Sequence, residues 1–406
     1  MTSFLQLILA MTIIIAVAKV SGYLSARLGQ PTVFGELLAG LLLGPTVLNM
    51  LGWPFFSDAH LGDSIKHLAE IGVLFLMFVA GLEVELEEMV RSGRVAVLGG
   101  VLGTVMPVVL GWVAALLFGF GTQAGLFIGL MLAPTSVSIS AQTLMELGVL
   151  RSPGGVALLG AAVVDDILAI LMLSVFIALA GGGGGGAASI LWVVARLTLY
   201  LALALAAGIW LIPRLTRWVE RLPISEGVMA LVVVVALLYG WAAEVLGGMA
   251  AITGAFLAGL SFARTPLREH ITQGMHTLTY AWLVPVFFVS IGLEADARAM
   301  GAGGSLFMLV LILVAVLSKV LGGGMGARLG GFDNRQALRL GVGMVSRGEV
   351  GLIVASLGLK AGLISEGAFA GVVIMVLATT LLTPIMLRAL YPGVTPEGET
   401  ASASSS

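Results

Sequence analysis

Thirteen apolar stretches, most of them long enough to cross a bilayer, take up nearly the whole of this chain. They run over residues 4–26, 32–50, 67–83, 95–118, 124–145, 154–180, 188–212, 226–243, 247–262, 272–293, 305–327, 335–359 and 366–389. A spanning helix needs about 20 largely apolar residues. The composition agrees: 59% of the 406 residues are hydrophobic and 10% charged, where a soluble domain carries about 25% charged residues. No soluble core could bury so much apolar surface, so the expected fold class is an all-α polytopic membrane protein with about 13 transmembrane helices. The ninth stretch is short and Gly-rich. In the first stretch the leading charge, Lys19, follows the apolar run, the reverse of a signal peptide, so an uncleaved first span is expected.

Short cytoplasmic connections are enriched in Lys and Arg. Fourteen of the twenty basic residues fall in the odd-numbered connections and at the C-terminus, three (Lys66, Arg298, Lys360) in the even-numbered ones, and Arg196, Lys319 and Arg347 inside spans. This bias places the N-terminus outside and the C-terminus in the cytoplasm, and it supports an odd number of spans. The scattered basic residues give no footprint for nucleic acid. There is no Cys, hence no thiolate metal site. The four His (60, 67, 270 and 276) lack metal-ligand spacing. Residues 181–186, six consecutive glycines, read as a flexible outer linker. Residues 392–406 read as a disordered tail, with no soluble regulatory domain after the last span.

Two motifs recur. "FGELLAGL" (34–41) in the second span matches "TGAFLAGL" (253–260) in the ninth, and "GLE" closes both the third span (81–83) and the tenth (292–294). Each pair is seven spans apart. An odd offset turns one copy over in the membrane, the sequence trace of an inverted repeat of six spans as in many secondary transporters. The fifth and twelfth spans then correspond, and both hold helix breakers at mid-span, in "LAPTSVSISAQ" (132–142) and "GVGMVSRGEVG" (341–351). Pro134 removes a backbone donor and disfavours helix at Ala133. Broken spans at matching positions point to a transport site, where freed helix ends offer carbonyls to cations and amides to anions.

Charges lie at mid-depth: Asp165 and Asp166 in the sixth span, Lys319 in the eleventh, Arg347 and Glu349 at the second break. A charge at the bilayer centre costs about 2.5–3.5 kcal/mol on insertion scales. Lys319 is roughly 12 Å from the nearer end of its span at 1.5 Å per residue, too far to snorkel, so it needs a partner or a water-filled cavity. Adjacent helical residues point about 100° apart, so one Asp can pair with Lys319 while the other faces the crossing of the broken spans. Arg347 and Glu349 suit the neutralisation of half-helix ends and of each other. Two close carboxylates hold up each other's proton affinity and an ammonium lowers it, which suits exchange of protons for a small cation. Glu36 lies near enough to its span end to snorkel, and Arg196 has no evident partner.

Taken together, "GAAVVDDILAI", "APTSVSIS", "LSKVLG" (317–322) and "GMVSRGEVGLIVA" (343–355) resemble bacterial sodium/proton antiporters of the NapA type, in the cation:proton antiporter superfamily. The resemblance covers essentially the whole chain. It implies a homodimer with scaffold and dimerisation spans at 1–93 and 225–302, mobile core spans at 94–182 and 303–391, and a linker span at 183–224. Asp166 would be the main sodium and proton ligand, Asp165 would pair with Lys319, and Thr135 and Ser136 would line the crossing. Thr135 would join Asp166 on the sodium ion. In this family an Asp-Asp pair accompanies electrogenic exchange of two protons for one sodium ion. One net charge would then move per cycle.

The expectation is therefore an electrogenic sodium (or lithium)/proton antiporter in the inner membrane, not an enzyme and without a cofactor. The nearest rival is the same machine working on potassium. An ion channel would call for pore-lining rings from symmetric subunits, and an organic-anion symporter would have less use for two repelling carboxylates.

Overall fold

The structure, a computed structural model, describes residues 1–28, 30–45, 47–83, 92–180, 187–293, 305–360 and 362–392. The hexaglycine stretch 181–186, Arg298 and nearly all of the 392–406 tail lie outside the described residues. All regular structure among them is helical: α1 (Ser3–Arg27), α2 (Thr32–Leu43), α3 (Leu61–Glu83), α4 (Gly93–Leu117), α5 (Thr122–Met131), α6 (Val137–Glu146), α7 (Pro153–Ala180) and α8 (Ala187–Trp210) lead. There follow α9 (Ile212–Glu220), α10 (Gly227–Ala242), α11 (Ala251–Phe262), α12 (Arg268–Leu293), α13 (Ser305–Gly330), α14 (Asn334–Gly343), α15 (Glu349–Lys360) and α16 (Glu366–Leu390). Among the described residues nine helices are long and apolar enough to cross a membrane.

The second, fifth, ninth and twelfth stretches carry shorter helices than their lengths suggest. In the second, Pro45 disfavours helix at the residue before it, and Gly44 turns to extended backbone after accepting the role of C-cap. In the ninth, Gly248 adopts a left-handed conformation (φ +69°) before α11 begins. The fifth stretch stops at Met131 and resumes at Val137, and the twelfth stops at Gly343 and resumes at Glu349. Breaks fall where Pro134 and the Gly-rich run place them. Just past the seventh stretch, Pro213 lies near the start of α9, which a turn at Leu211 parts from α8.

The described residues of Met1–Glu70, Ser92–Asp165 and Pro285–Ser406 form one compact unit, and those of Ile71–Arg91 and Asp166–Val284 a second. In the first unit, α4 and α13 pack backbone to backbone. A Cβ on Gly322 or Gly326 would collide with the carbonyl oxygen of Leu102 or Leu98. Small residues at such a seam let helices approach closely in lipid, where dispersion rather than water release drives association. The seam holds α13, and with it Lys319, against the helix that bears Thr104.

In the second unit the hydroxyl of Tyr200 donates to the Tyr239 carbonyl at 3.1 Å and that of Tyr239 to the Ala204 carbonyl at 2.9 Å, joining α8 to α10. Arg196 finds its partners here. Its Nε donates to the Leu246 carbonyl at 2.7 Å and its Nη2 to that of Glu244 at 3.2 Å, in the π-turn Ala243–Gly247 that ends α10. Arg268 does the same for the end of α3, reaching the Leu82 and Glu83 carbonyls at 2.9 and 3.1 Å. A cation at a helix C-terminus meets the negative end of the backbone dipole.

Candidate functional site

Asp165 lies mid-way along α7 and is fully buried, as is Lys319 of α13. The Lys319 ammonium donates to Asp165 Oδ1 at 2.8 Å. Counted along α13, Lys319 is roughly 16 Å from Gly330 at 1.5 Å per residue, so the charge is neutralised in place rather than carried to an interface. The same Asp165 oxygen lies 2.6 Å from the hydroxyl of Thr104, which also lies 2.7 Å from the Gly100 carbonyl. A threonine hydroxyl has one proton, so it serves one acceptor at a time. Asp165 Oδ2 is buried without a hydrogen-bond partner.

Asp166 follows on the next residue of α7, turned about 100° away, and is only partly buried. Its Oδ2 accepts a hydrogen bond from the Thr253 hydroxyl at 2.8 Å. The adjacent carboxylates thus differ in access: Asp165 is fully buried against Lys319, and Asp166, bonded to the Thr253 hydroxyl, is only partly buried.

The two helix breaks meet at Ser136 and Ser346. The Ser136 amide donates to the Ser346 carbonyl at 2.9 Å, and the Ser346 hydroxyl donates back to the Ser136 carbonyl at 2.6 Å. Ser140 adds a bond to the Gly343 carbonyl at 2.5 Å, capping the end of α14. Backbone groups released by a break at membrane depth must find partners in protein, and here each break supplies the other. Thr135, beside this crossing, is buried with its hydroxyl oxygen unpartnered.

Arg347 is fully buried at the second break. Its Nη1 donates to the Met344 and Val345 carbonyls at 3.1 and 2.7 Å, and its Nη2 to that of Ala315 at 3.1 Å, one turn before Lys319. The guanidinium therefore sits on the carbonyl end of the half-helix α14. Its own carbonyl accepts from the Thr380 hydroxyl at 2.7 Å. The side chain of Glu349 lies outside the described residues.

Glu36 is buried, with an ion pair to Lys19 at 3.4 Å, so it does not reach for the surface as its position allowed. Glu146, at the end of α6, accepts from the Thr32 amide and hydroxyl at 2.5 Å each and from the Val33 amide at 3.2 Å. It caps α2, whose own N-cap residue is Pro31 with no side-chain acceptor. Sequence reasoning passed over Glu146, Thr104, Thr253 and Ser346.

The crossing leaves no room for a larger residue beside Ser136. A Cβ on Gly348 would lie 2.6 Å from Ser136 Oγ and 2.7 Å from its Cβ. Overpacking of this kind costs about 1–3 kcal/mol, so Gly348→Ala is expected to lower the melting temperature of the purified protein. A melting curve superimposable on the wild type's would mean that the breaks do not pack at this distance.

The family profile described as "Sodium/hydrogen exchanger, transmembrane" matches residues 12–391. The chain is 37% identical to the Na(+)/H(+)-K(+) antiporter GerN of Bacillus cereus over 377 residues, covering 93% of this chain and 94% of that one. It is 34% identical to a Na(+)/H(+) antiporter of Enterococcus hirae, over 93% of this chain and 96% of that one. Among solved structures, the sodium proton antiporter MjNhaP1 of Methanocaldococcus jannaschii has a similar fold, with a TM-score of 0.69, 17% identity, and coverage of 98% of this chain and 100% of that one.

Proposed function

The chain belongs to the sodium/hydrogen exchanger family, and from that premise we propose that it exchanges one sodium or lithium ion for two protons by alternating access. The observation that carries the reading is the fully buried Asp165–Lys319 ion pair beside a more accessible Asp166. Asp166 is the principal ligand of the cation and of one proton, and Thr135 offers an unpartnered oxygen. Asp165 and Lys319 form the pair that carries the second proton: cation entry lets Lys319 release its proton, and its departure lets the pair re-form. Arg347 neutralises the half-helix end while Ser136 lines the crossing, and Glu349 adds a carboxylate to the same break. Two protons against one monovalent cation move one charge per cycle, worth about 2.3 kcal/mol per 100 mV.

The same proposal holds that the chain crosses the inner membrane thirteen times, N-terminus outside, as an inverted repeat of six spans. The short helices support the repeat, because they fall as pairs seven spans apart. Helices α2 and α11 both have 12 residues, and the fifth and twelfth stretches are both broken in two. Spans one to three and eight to ten serve as the scaffold of a homodimer, and spans four to six and eleven to thirteen as the moving core.

Potassium in place of sodium is the second reading, favoured by the relative GerN, whose name gives both ions. Purified protein in liposomes with an imposed pH gradient and an enclosed pH dye separates the two. Sodium and lithium are expected to dissipate the gradient and potassium is not. An inside-positive potential is expected to change the sodium rate. Activity with potassium alone transfers the reading to the second cation, and rates indifferent to the potential sink the two-proton stoichiometry.

A further inference from the structure

We propose that Thr253 is a positioning residue of the ion site: in the conformation seen here its hydroxyl, on a scaffold span, holds Asp166 Oδ2 of the moving core and presents the carboxylate to the cation. This rests on the exchange reading above and adds a residue to it.

Three observations carry it. The Thr253 hydroxyl donates to Asp166 Oδ2 at 2.8 Å, although 87 residues separate the two. Three other buried helical threonines spend their proton locally. Thr143, Thr216 and Thr383 each donate to the carbonyl four residues back, the usual outcome in an apolar span. Thr253 is the third residue of α11. Four residues back from it lies Met249, before the helix begins, so the position frees the hydroxyl to face outward. It also sets the hydroxyl in the first turn, where the helix dipole favours an anion.

The mount is rigid. A Cβ on the next residue, Gly254, would collide with the Tyr239 carbonyl oxygen, so α11 is pressed against the backbone of α10 one residue from Thr253. Tyr239 is itself fixed by its bond to Ala204. A 3% exposed side chain on such a turn has little freedom to swing away.

The internal repeat adds a sequence argument. Thr253 opens "TGAFLAGL", and its counterpart in "FGELLAGL" is Phe34. The Gly and the Leu-Ala-Gly-Leu that shape the short helix occur in both copies, whereas the hydroxyl occurs in one. The copy of the fold does not need it. The copy that faces Asp166 has it.

A hydrogen bond to a carboxylate favours its charged form and holds it in one orientation, both of which aid capture of a cation. Initial rates of sodium-driven proton exchange in proteoliposomes, taken over a range of sodium concentrations, test this with Thr253→Val and Thr253→Ser. The valine keeps the volume and lacks the donor. It is expected to raise the KM for sodium about tenfold, the effect of losing about 1.4 kcal/mol of binding, with the maximal rate within about twofold of wild type. Serine is expected to restore the wild-type KM. Thr253→Ala repeats the measurement should the valine variant fail to insert. A wild-type KM in the valine variant overturns the proposal. So does equal impairment by valine and serine, which would mark a steric role, or a loss confined to the maximal rate. A wild-type protein inert to every cation would overturn the exchange reading itself, and this inference with it.

Discussion

Lys319→Met is expected to destabilise the protein by about 3–5 kcal/mol, the usual penalty for stripping one partner from a buried ion pair. Both side chains are fully buried and meet at 2.8 Å. Removal of the ammonium takes away the cation bonded to Asp165, and the Thr104 hydroxyl that stays bonded to it also serves Gly100. A carboxylate in that position must take up a proton or draw water into the helix packing. Asp165→Asn alone should also be damaging, since Lys319 would lose the carboxylate charge it meets at 2.8 Å. The double replacement Asp165→Asn/Lys319→Gln removes both charges and keeps a neutral hydrogen bond, so most of the stability is expected to return. Thermal unfolding in detergent, followed by the fluorescence of the seven tryptophans, decides the matter. Additive losses in the double variant would show that the two residues do not act as a pair.

The second large effect is on transport rather than stability. Asp166→Asn is expected to reduce sodium-driven proton exchange to the level of protein-free liposomes, because an amide neither binds and releases a proton nor offers a full negative charge. The amide oxygen can still accept from Thr253, so the melting temperature should stay close to that of the wild type. This separation of effects distinguishes the two neighbours: Asp165, with Lys319, weighs on stability as well as on exchange, Asp166 on flux alone. Full-rate exchange by the asparagine variant would remove Asp166 from the mechanism.

Much of this was legible in the sequence because lipid simplifies the problem. A charge in the middle of an apolar run has no solvent to turn to, so Asp165 and Lys319 announce each other's need. Pro134 falls at a break, whereas Pro107 sits inside α4 without ending it. Hydroxyls are harder to read. A threonine in a helix can satisfy itself on its own backbone, so nothing in the residue type distinguishes Thr143, which does, from Thr104 and Thr253, which reach a carboxylate. Lengths were misread for a related reason. The run 32–50 is largely apolar, yet Gly44 and Pro45 end its helix, and hydropathy carries no information about where a backbone stops. Glu146 was passed over because its role depends on α2 starting at a proline-capped turn with unpaired amides.

The spacing of the buried pair also has a consequence for biosynthesis. Asp165 and Lys319 are 154 residues apart, and a ribosome adds about 5–20 residues per second. The acidic half of the site therefore enters the bilayer on the order of 10–30 seconds before its counter-ion exists. During that interval the nascent chain carries two neighbouring carboxylates in an apolar helix with no lysine to neutralise them. Helix α7 must wait, protonated or sheltered by the insertion machinery, until α13 arrives.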